Sequence, residues 1–255
     1  YVSRLLGEAI EDDRSEGAIV SSPFVENTKF KFRDHQTIPA FDLLGFTRAN
    51  NYSVLQAPCS CGKTVVMTWV AGNLNRKILI LVDMGSLQSQ WAEAFELVWN
   101  KPTQIITKND TSFADVCIAT FQLLHFNPEL VKALRKEFGT LLLDEFHATS
   151  SGTRREILMQ MNNKYRIGCT ATPYKKGYSD EVLSDMVADV SVEMIDDKAL
   201  KAEVYFEPTG VKFYSSNPDD FGKIQSKLGK DEKRNYCVAN LAAMQVTDGR
   251  KVLII

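Results

Sequence analysis

An α/β fold, with a mostly parallel central sheet and helices on both of its faces, is predicted by three features of the sequence. Short continuous apolar runs recur, among them Ile78-Leu79-Ile80-Leu81-Val82 and Leu141-Leu142-Leu143. Longer stretches with apolar residues at helical spacing separate these runs. Strand and helix patterns therefore alternate along the chain. A strand that is apolar throughout has to be covered on both faces, as in a parallel sheet crossed over by helices.

Taken in order, strands are expected at 52–56, 78–82, 104–107, 116–119, 140–143 and 165–169. Helices are expected near 35–44, 63–74, 87–99, 128–138 and 153–161. The alternation weakens after about residue 190. Residues 198–214 look extended, 215–220 read as a polar turn, 231–246 look helical, and 251–255 resemble the start of another buried strand. No internal repeat is present.

Composition narrows the function classes. A chain of 255 residues, 44% hydrophobic and 24% charged, can bury its own core without disulfides or metals. Its longest apolar runs are far short of the roughly 18 residues that a membrane span needs. Residues 1–11 have no continuous apolar core of the signal-peptide kind. The five cysteines (Cys59, Cys61, Cys117, Cys169, Cys237) are odd in number and form no Cys-x-x-Cys pair. That argues against zinc and against a secreted disulfide framework, so a reducing cytoplasm is expected. With Lys+Arg 30 against Asp+Glu 32, a nucleic acid would have to be met by a local face.

In parallel sheets, ligands bind beyond the carboxyl ends of the strands. After strand 52–56 comes Ala57-Pro58-Cys59-Ser60-Cys61-Gly62-Lys63-Thr64, followed by an apolar helix. This is the phosphate-binding loop pattern, with Ala57 where a first glycine is common. Gly62 lets the backbone wrap closely, and the N–H groups of Ser60, Cys61 and Gly62 are expected to cradle phosphates at the helix start. Lys63 would reach the β- and γ-phosphates, and Thr64 would ligate Mg²⁺. Strand 140–143 ends in Asp144-Glu145-Phe146-His147. Adjacent carboxylates at the end of a buried strand are costly without charged partners, which Lys63 and Mg²⁺ would supply. Asp144 would then hold the metal through water and Glu145 would activate the attacking water. The plainer use of Asp144 is as a helix cap.

At this point the chain resembles the superfamily-2 helicases and translocases with a DExH box. The loop bearing Lys63 looks like their motif I and Asp144–His147 like motif II. Thr170-Ala171-Thr172-Pro173 is similar to motif III, and Ala119-Thr120-Phe121-Gln122 to motif Ib. Arg33 and Gln36 in Phe32-Arg33-Asp34-His35-Gln36 match the element that reads adenine. The resemblance spans residues 30–206, with the elements in family order. Within the family it is greatest to the phage UvsW-like branch-migration group, and next to the XPB and RecG groups. It implies a RecA-like P-loop ATPase domain that uses ATP and Mg²⁺, with His147, Thr170 and Thr172 coupling hydrolysis to domain movement. Nucleic acid would be met by Ser86, Gln90, Thr120, Gln122 and Lys175. Asp83-Met84 departs from the usual Pro-Thr after the second strand and weakens that phosphate contact.

Other residues have plainer readings. Phe30 or Phe32 could stack on a base. His35 and His125 read as solvated or packed, and Trp69, Trp91 and Trp99 as packing residues. Arg154-Arg155 and Lys175-Lys176 are candidates for phosphate contacts. Cys59 and Cys61 lie in the loop that wraps phosphate, so thiol modification of both should block ATP.

The expected organisation is an N-terminal segment over 1–29, which could end an accessory domain, and a first RecA-like domain over 30–206. A linker over 207–235 and the beginning of a second RecA-like domain over 236–255 would follow. Residues 249–255 resemble the first strand of that second domain, so an incomplete motor is expected, one that binds ATP, hydrolyses it poorly and does not unwind DNA. The implied function is an ATP-dependent DNA helicase or translocase acting on branched or duplex DNA in recombination, repair or replication. The alternatives are an RNA helicase, or a duplex-translocating motor subunit of a restriction or defence complex. A nucleotide kinase would need a lid, and a transporter ATPase a Ser-Gly-Gly-Gln-type signature; neither is evident.

Overall fold

The computed structural model describes residues 14–146, 152–171, 190–196, 208–211, 221–247 and 249. The chain divides into two units, Tyr1–Ala199 and Leu200–Ile255. Among the described residues no helix is long and apolar enough to cross a membrane.

In the first unit, strands β1 (Tyr52–Gln56), β2 (Ile78–Val82), β3 (Gln104–Ile105), β4 (Val116–Thr120), β5 (Thr140–Leu143), β6 (Tyr165–Thr170) and β7 (Val192–Glu193) form one sheet. Their order across the sheet is β3-β4-β2-β5-β6-β1-β7, and every neighbouring pair is parallel. The apolar runs thus become parallel strands, as expected. The helices are α1 (Asp34–Asn50), α2 (Lys63–Gly72), α3 (Ser86–Trp99), α4 (Phe121–Phe126), α5 (Pro128–Glu137) and α6 (Gly152–Gln160).

Side chains alternate across each strand, so one apolar run feeds two cores. Ile78, Ile80 and Val82 of β2 join Leu43, Val66, Met67, Phe95 and Trp99 from α1, α2 and α3. Leu79 and Leu81 face the other way, toward Leu124, Leu134 and Ile157 from α4, α5 and α6. This two-sided burial is why β2 carries no polar residue: all five positions are buried.

Several element limits differ from the expected ones. β3 stops at Ile105 because Asp110 Oδ2 accepts the backbone N–H of Thr107 at 2.7 Å, turning the chain away from the sheet. α1 runs on past residue 44 to Asn50 and is ended by Asn51 in the left-handed conformation, φ 68°. The motif Ib stretch turns into α4 at Phe121, since the Thr120 hydroxyl caps it by accepting from Leu123 N at 3.1 Å.

The second unit contains helices α7 (Phe221–Lys230) and α8 (Glu232–Thr247). Asp231 joins them, its Oδ1 accepting the Arg234 N–H at 2.7 Å as a helix cap. α8 covers the stretch expected to be helical, whereas α7 falls in the stretch expected to be a linker. Residues 251–255 lie outside the described residues, as do 215–220 and most of 198–214.

Candidate active site

β5, β6 and β1 lie side by side, and the residues singled out in the sequence follow their carboxyl ends. From β1 the chain crosses over β6 and β5 to reach β2, which leaves a crevice at the strand ends of the kind that receives ligands in such sheets.

The loop after β1 is gripped on several sides. Ala57 N donates to the carbonyl of Thr170, the last residue of β6, at 3.0 Å. The Gln36 amide donates to the Cys61 carbonyl at 2.9 Å and accepts the Arg33 N–H at 3.0 Å. His35 Nε2 lies 3.1 Å from the same Cys61 carbonyl, and its Nδ1 lies 3.7 Å from Asp196 Oδ1. Gly62 has φ +85°, and a Cβ there would run into the Gln36 amide, so the turn requires glycine. Ser60 is exposed at φ 67°, and Cys61 is buried. The carbonyl of Gly62 accepts from Val65 and Val66, so α2 starts at once and its first N–H groups have no intrahelical partner.

Lys63 Nζ lies 3.2 Å from Glu145 Oε1. Glu145 sits at φ 46°, a left-handed backbone that costs a non-glycine residue about 1–3 kcal/mol and tends to be kept at functional sites. Both oxygens of Asp144 are engaged: Oδ2 accepts from Trp91 Nε1 at 3.0 Å, and Oδ1 from Cys169 Sγ at 3.4 Å. Burial, and then the Asp144 charge, push the Cys169 thiol well above its usual range, so it stays protonated and donates. Thr64 Oγ1 accepts from Gln90 Nε2 at 3.1 Å. Phe146 packs under Gly168 of β6 and anchors the turn that carries both carboxylates.

Among the described residues no group of three or more His, Cys, Asp or Glu is placed to hold a metal ion. Mg²⁺ bound with a nucleotide asks for less, one or two protein oxygens beside phosphates and water. The donor chemistry of Thr64 and Asp144 fits that requirement. Each oxygen accepts one hydrogen bond and keeps a further lone pair.

The residues expected to meet nucleic acid are distributed differently. Ser86 and Gln122 are exposed at the starts of α3 and α4, after the neighbouring strands β2 and β4. The Thr120 hydroxyl is committed to its cap, and Gln90 reaches into the site toward Thr64. Asp83 pairs with Arg154 at 2.9 Å, so this arginine is a partner of the strand-end acid, and its guanidinium lies over Phe121. Arg33 is exposed, and Gln36 is buried with both ends of its amide engaged within the chain. Phe30, Phe32 and Trp69 stack edge-on upon one another, with centroids 5.0 and 5.4 Å apart. Thr170 is fully buried. His147, Thr172 and Lys175 lie outside the described residues.

Two contacts were not legible from the motifs, the indole of Trp91 on Asp144 and the imidazole of His35 on the loop. The signal for the first was available, because a buried tryptophan usually needs a partner for its N–H. Trp91 is fully buried.

The family described as "Type III restriction enzyme, res subunit" matches residues 28–175. "Putative helicase 109L" of Invertebrate iridescent virus 3 is 30% identical over 236 residues, which cover 87% of this chain and 63% of that protein. The XPB2 subunit of the general transcription and DNA repair factor IIH helicase/translocase of Arabidopsis thaliana is 25% identical over 170 residues, 60% of this chain and 22% of that one. The chain thus spans less than two thirds of either relative. Two solved structures share the fold. The Sulfolobus solfataricus SWI2/SNF2 ATPase core in complex with dsDNA has a TM-score of 0.54 at 16% identity, covering 66% of this chain and 37% of its own. The UvsW helicase of bacteriophage T4 has a TM-score of 0.50 at 19% identity, covering 76% and 74%. With a RecA-like sheet and a family match over more than half its length, the chain belongs to the family of the type III restriction enzyme res subunit, within the superfamily-2 helicases.

Proposed function

We propose that this chain carries the ATP-binding half of the motor in an ATP-dependent DNA helicase or translocase, with residues 30–206 as its first RecA-like domain. Residues 207–235 are then the link to a second such domain that begins near 236, and the protein works in the cytoplasm, or in that of a host cell. The observation that carries this reading is the pairing of Lys63 with Glu145 at 3.2 Å, beside an Asp144 held at both oxygens.

In this reading the loop N–H groups at Ser60, Cys61 and Gly62 receive phosphate oxygens, and Arg33 and Gln36 lie toward the base. Lys63 exchanges the Glu145 carboxylate for phosphate, a charge-assisted contact of comparable strength. Glu145 is thereby released to orient a water and take its proton. Thr64 and Asp144 would hold Mg²⁺, Asp144 through water, and the ion would supply positive charge against the phosphates. Thr170 feels the loop directly, since its carbonyl accepts from Ala57. Together with His147 and Thr172 it passes loop movement on to the neighbouring domain. Ser86, Gln122 and Lys175 meet the nucleic acid backbone.

Duplex or branched DNA is the substrate we favour. Support comes from what relatives are named for: the XPB2 relative belongs to a DNA repair helicase/translocase, and one fold neighbour was solved on dsDNA. Branched DNA is included because the motif resemblance described above is greatest to the UvsW-like group. The res-subunit family favours one second reading, a motor that pumps duplex without unwinding it. ATPase rates of the full protein with duplex DNA, branched DNA, single-stranded DNA and RNA test the proposal. Stimulation by duplex or branched DNA is expected, and strand separation distinguishes the helicase from the pump. Stimulation by RNA alone, or by no nucleic acid, overturns it.

A further inference from the structure

Gln90 and Trp91 are consecutive residues of α3, and each donates a hydrogen bond to one of the two side chains suited to the metal. The Gln90 amide reaches the Thr64 hydroxyl at 3.1 Å and the Trp91 indole reaches Asp144 Oδ2 at 3.0 Å. Successive helix residues project about 100° apart. One turn of α3 can therefore serve the start of α2 and the end of β5 together.

The helix is placed to do this rigidly. Eight residues on, Trp99 Nε1 donates to the Thr68 carbonyl of α2 at 2.9 Å, and its indole packs against Gly72 so closely that a Cβ there would collide with it. Trp91, Phe95 and Val98 have no exposed surface and join the same core as Val66, Met67 and Val70 of α2. Neither donor is needed to satisfy the fold locally. Thr64 is partly exposed and could take water, and an indole N–H could have been avoided altogether by phenylalanine at 91. Donors that fix the rotamers of metal-ligating oxygens are a common feature of such sites, and losing one typically costs about 10–100-fold in metal affinity or activity.

We propose that Gln90 and Trp91 are positioning residues of the metal site, orienting the Thr64 hydroxyl and the Asp144 carboxylate from a single turn of α3. This rests on the ATP-Mg²⁺ reading of the site. It also gives α3 a role at the site of hydrolysis, although its first residue, Ser86, is a candidate nucleic acid contact.

The test uses the full chain with Gln90→Leu, which keeps the side-chain volume, and Trp91→Phe, which removes the indole N–H together with part of a buried ring. Binding of a fluorescent ATP analogue is measured across a Mg²⁺ titration and again in EDTA, and Mn²⁺ binding in the presence of ADP is followed by electron paramagnetic resonance. Each variant should need about 10-fold more Mg²⁺ or Mn²⁺ for half-saturation. Nucleotide affinity in EDTA should stay as in the parent for both; the melting temperature should stay for Gln90→Leu and fall for Trp91→Phe, whose smaller ring leaves a gap in the core. Unchanged metal dependence in both variants overturns the proposal. So does an equal loss with and without metal, because that is what a merely structural role would give. If Trp91→Phe does not fold, the exposed Gln90→Leu decides. If the parent itself binds nucleotide without any metal dependence, the ATP-Mg²⁺ reading fails, and that result is distinct from a failure of the positioning roles.

Discussion

The amine of Lys63 and the carboxylate of Glu145, 82 residues apart in sequence, meet at 3.2 Å across the ends of β1 and β5. The lysine is largely buried while the acid is more than a third exposed, so the pair can open on one side only. That asymmetry suits an acid that must turn to a water when the lysine takes a phosphate.

Removal of the lysine amine therefore separates binding from folding. Lys63→Ala should abolish or severely weaken ATP binding in calorimetry and leave the circular dichroism spectrum unchanged. Unaltered affinity would remove Lys63 from the phosphate site.

The two carboxylates should fail in different ways. Glu145→Gln keeps the shape of the side chain and loses the base, so ATP-Mg²⁺ should bind normally while turnover falls by about 10²–10⁴. Asp144→Asn should instead weaken the Mg²⁺-dependent part of binding. Wild-type turnover by Glu145→Gln would move the catalytic role elsewhere.

The contact between α2 and α3 is a tight one. Gly72→Ala places a methyl group against the Trp99 indole and should destabilise the domain by about 1–3 kcal/mol, the usual cost of overpacking. Thermal or urea unfolding reads this directly. An unchanged midpoint would mean that the two helices can slide apart freely.

Acid should undo one particular tie. Burial alone would raise the Asp115 carboxyl, but the Ser21 N–H and hydroxyl and the Lys101 amine donate to it and together hold it below the usual range. A carboxyl lower in the folded than in the unfolded state gives its full stabilisation above the unfolded value, about 3.9. That contribution fades as the pH falls through the lower folded value. Asp115→Asn should thus melt below the parent at pH 7, with the gap closing in strong acid. A gap that widened as the pH dropped would contradict this assignment.

Thiol reagents should be more selective than the loop sequence suggested. Cys59 is exposed, whereas Cys61 is only 2% exposed beneath the Gln36 grip. A bulky maleimide should label Cys59 in preference to Cys61, Cys117 and Cys169, and should block ATP binding. Mass spectrometry showing equal labelling of Cys59 and Cys61 would refute the burial of the loop.

The chain alone determines six of the seven strands, the principal helices and the candidate loop at Gly62-Lys63-Thr64, whereas β7, two residues long, has no sequence signal of its own. Those are local facts, set by the spacing of apolar residues and by the backbone freedom of one glycine. Asp144 and Glu145 could be singled out because a pair of acids at the end of an apolar strand is costly wherever that strand lies. The helix at 121–126 has no clear sequence signal, because it is six residues long and depends on one hydroxyl, that of Thr120. What Gln90 and Trp91 touch could not be read at all. They reach partners 26 and 53 residues away because α3 packs on α2 and starts at the end of β2, the neighbour of β5 in the sheet. Strand order arises from the packing of the whole sheet and its crossovers, and no residue near 90 encodes it. The pattern marks Trp91 as buried, and only its neighbours across the sheet make it a donor to Asp144.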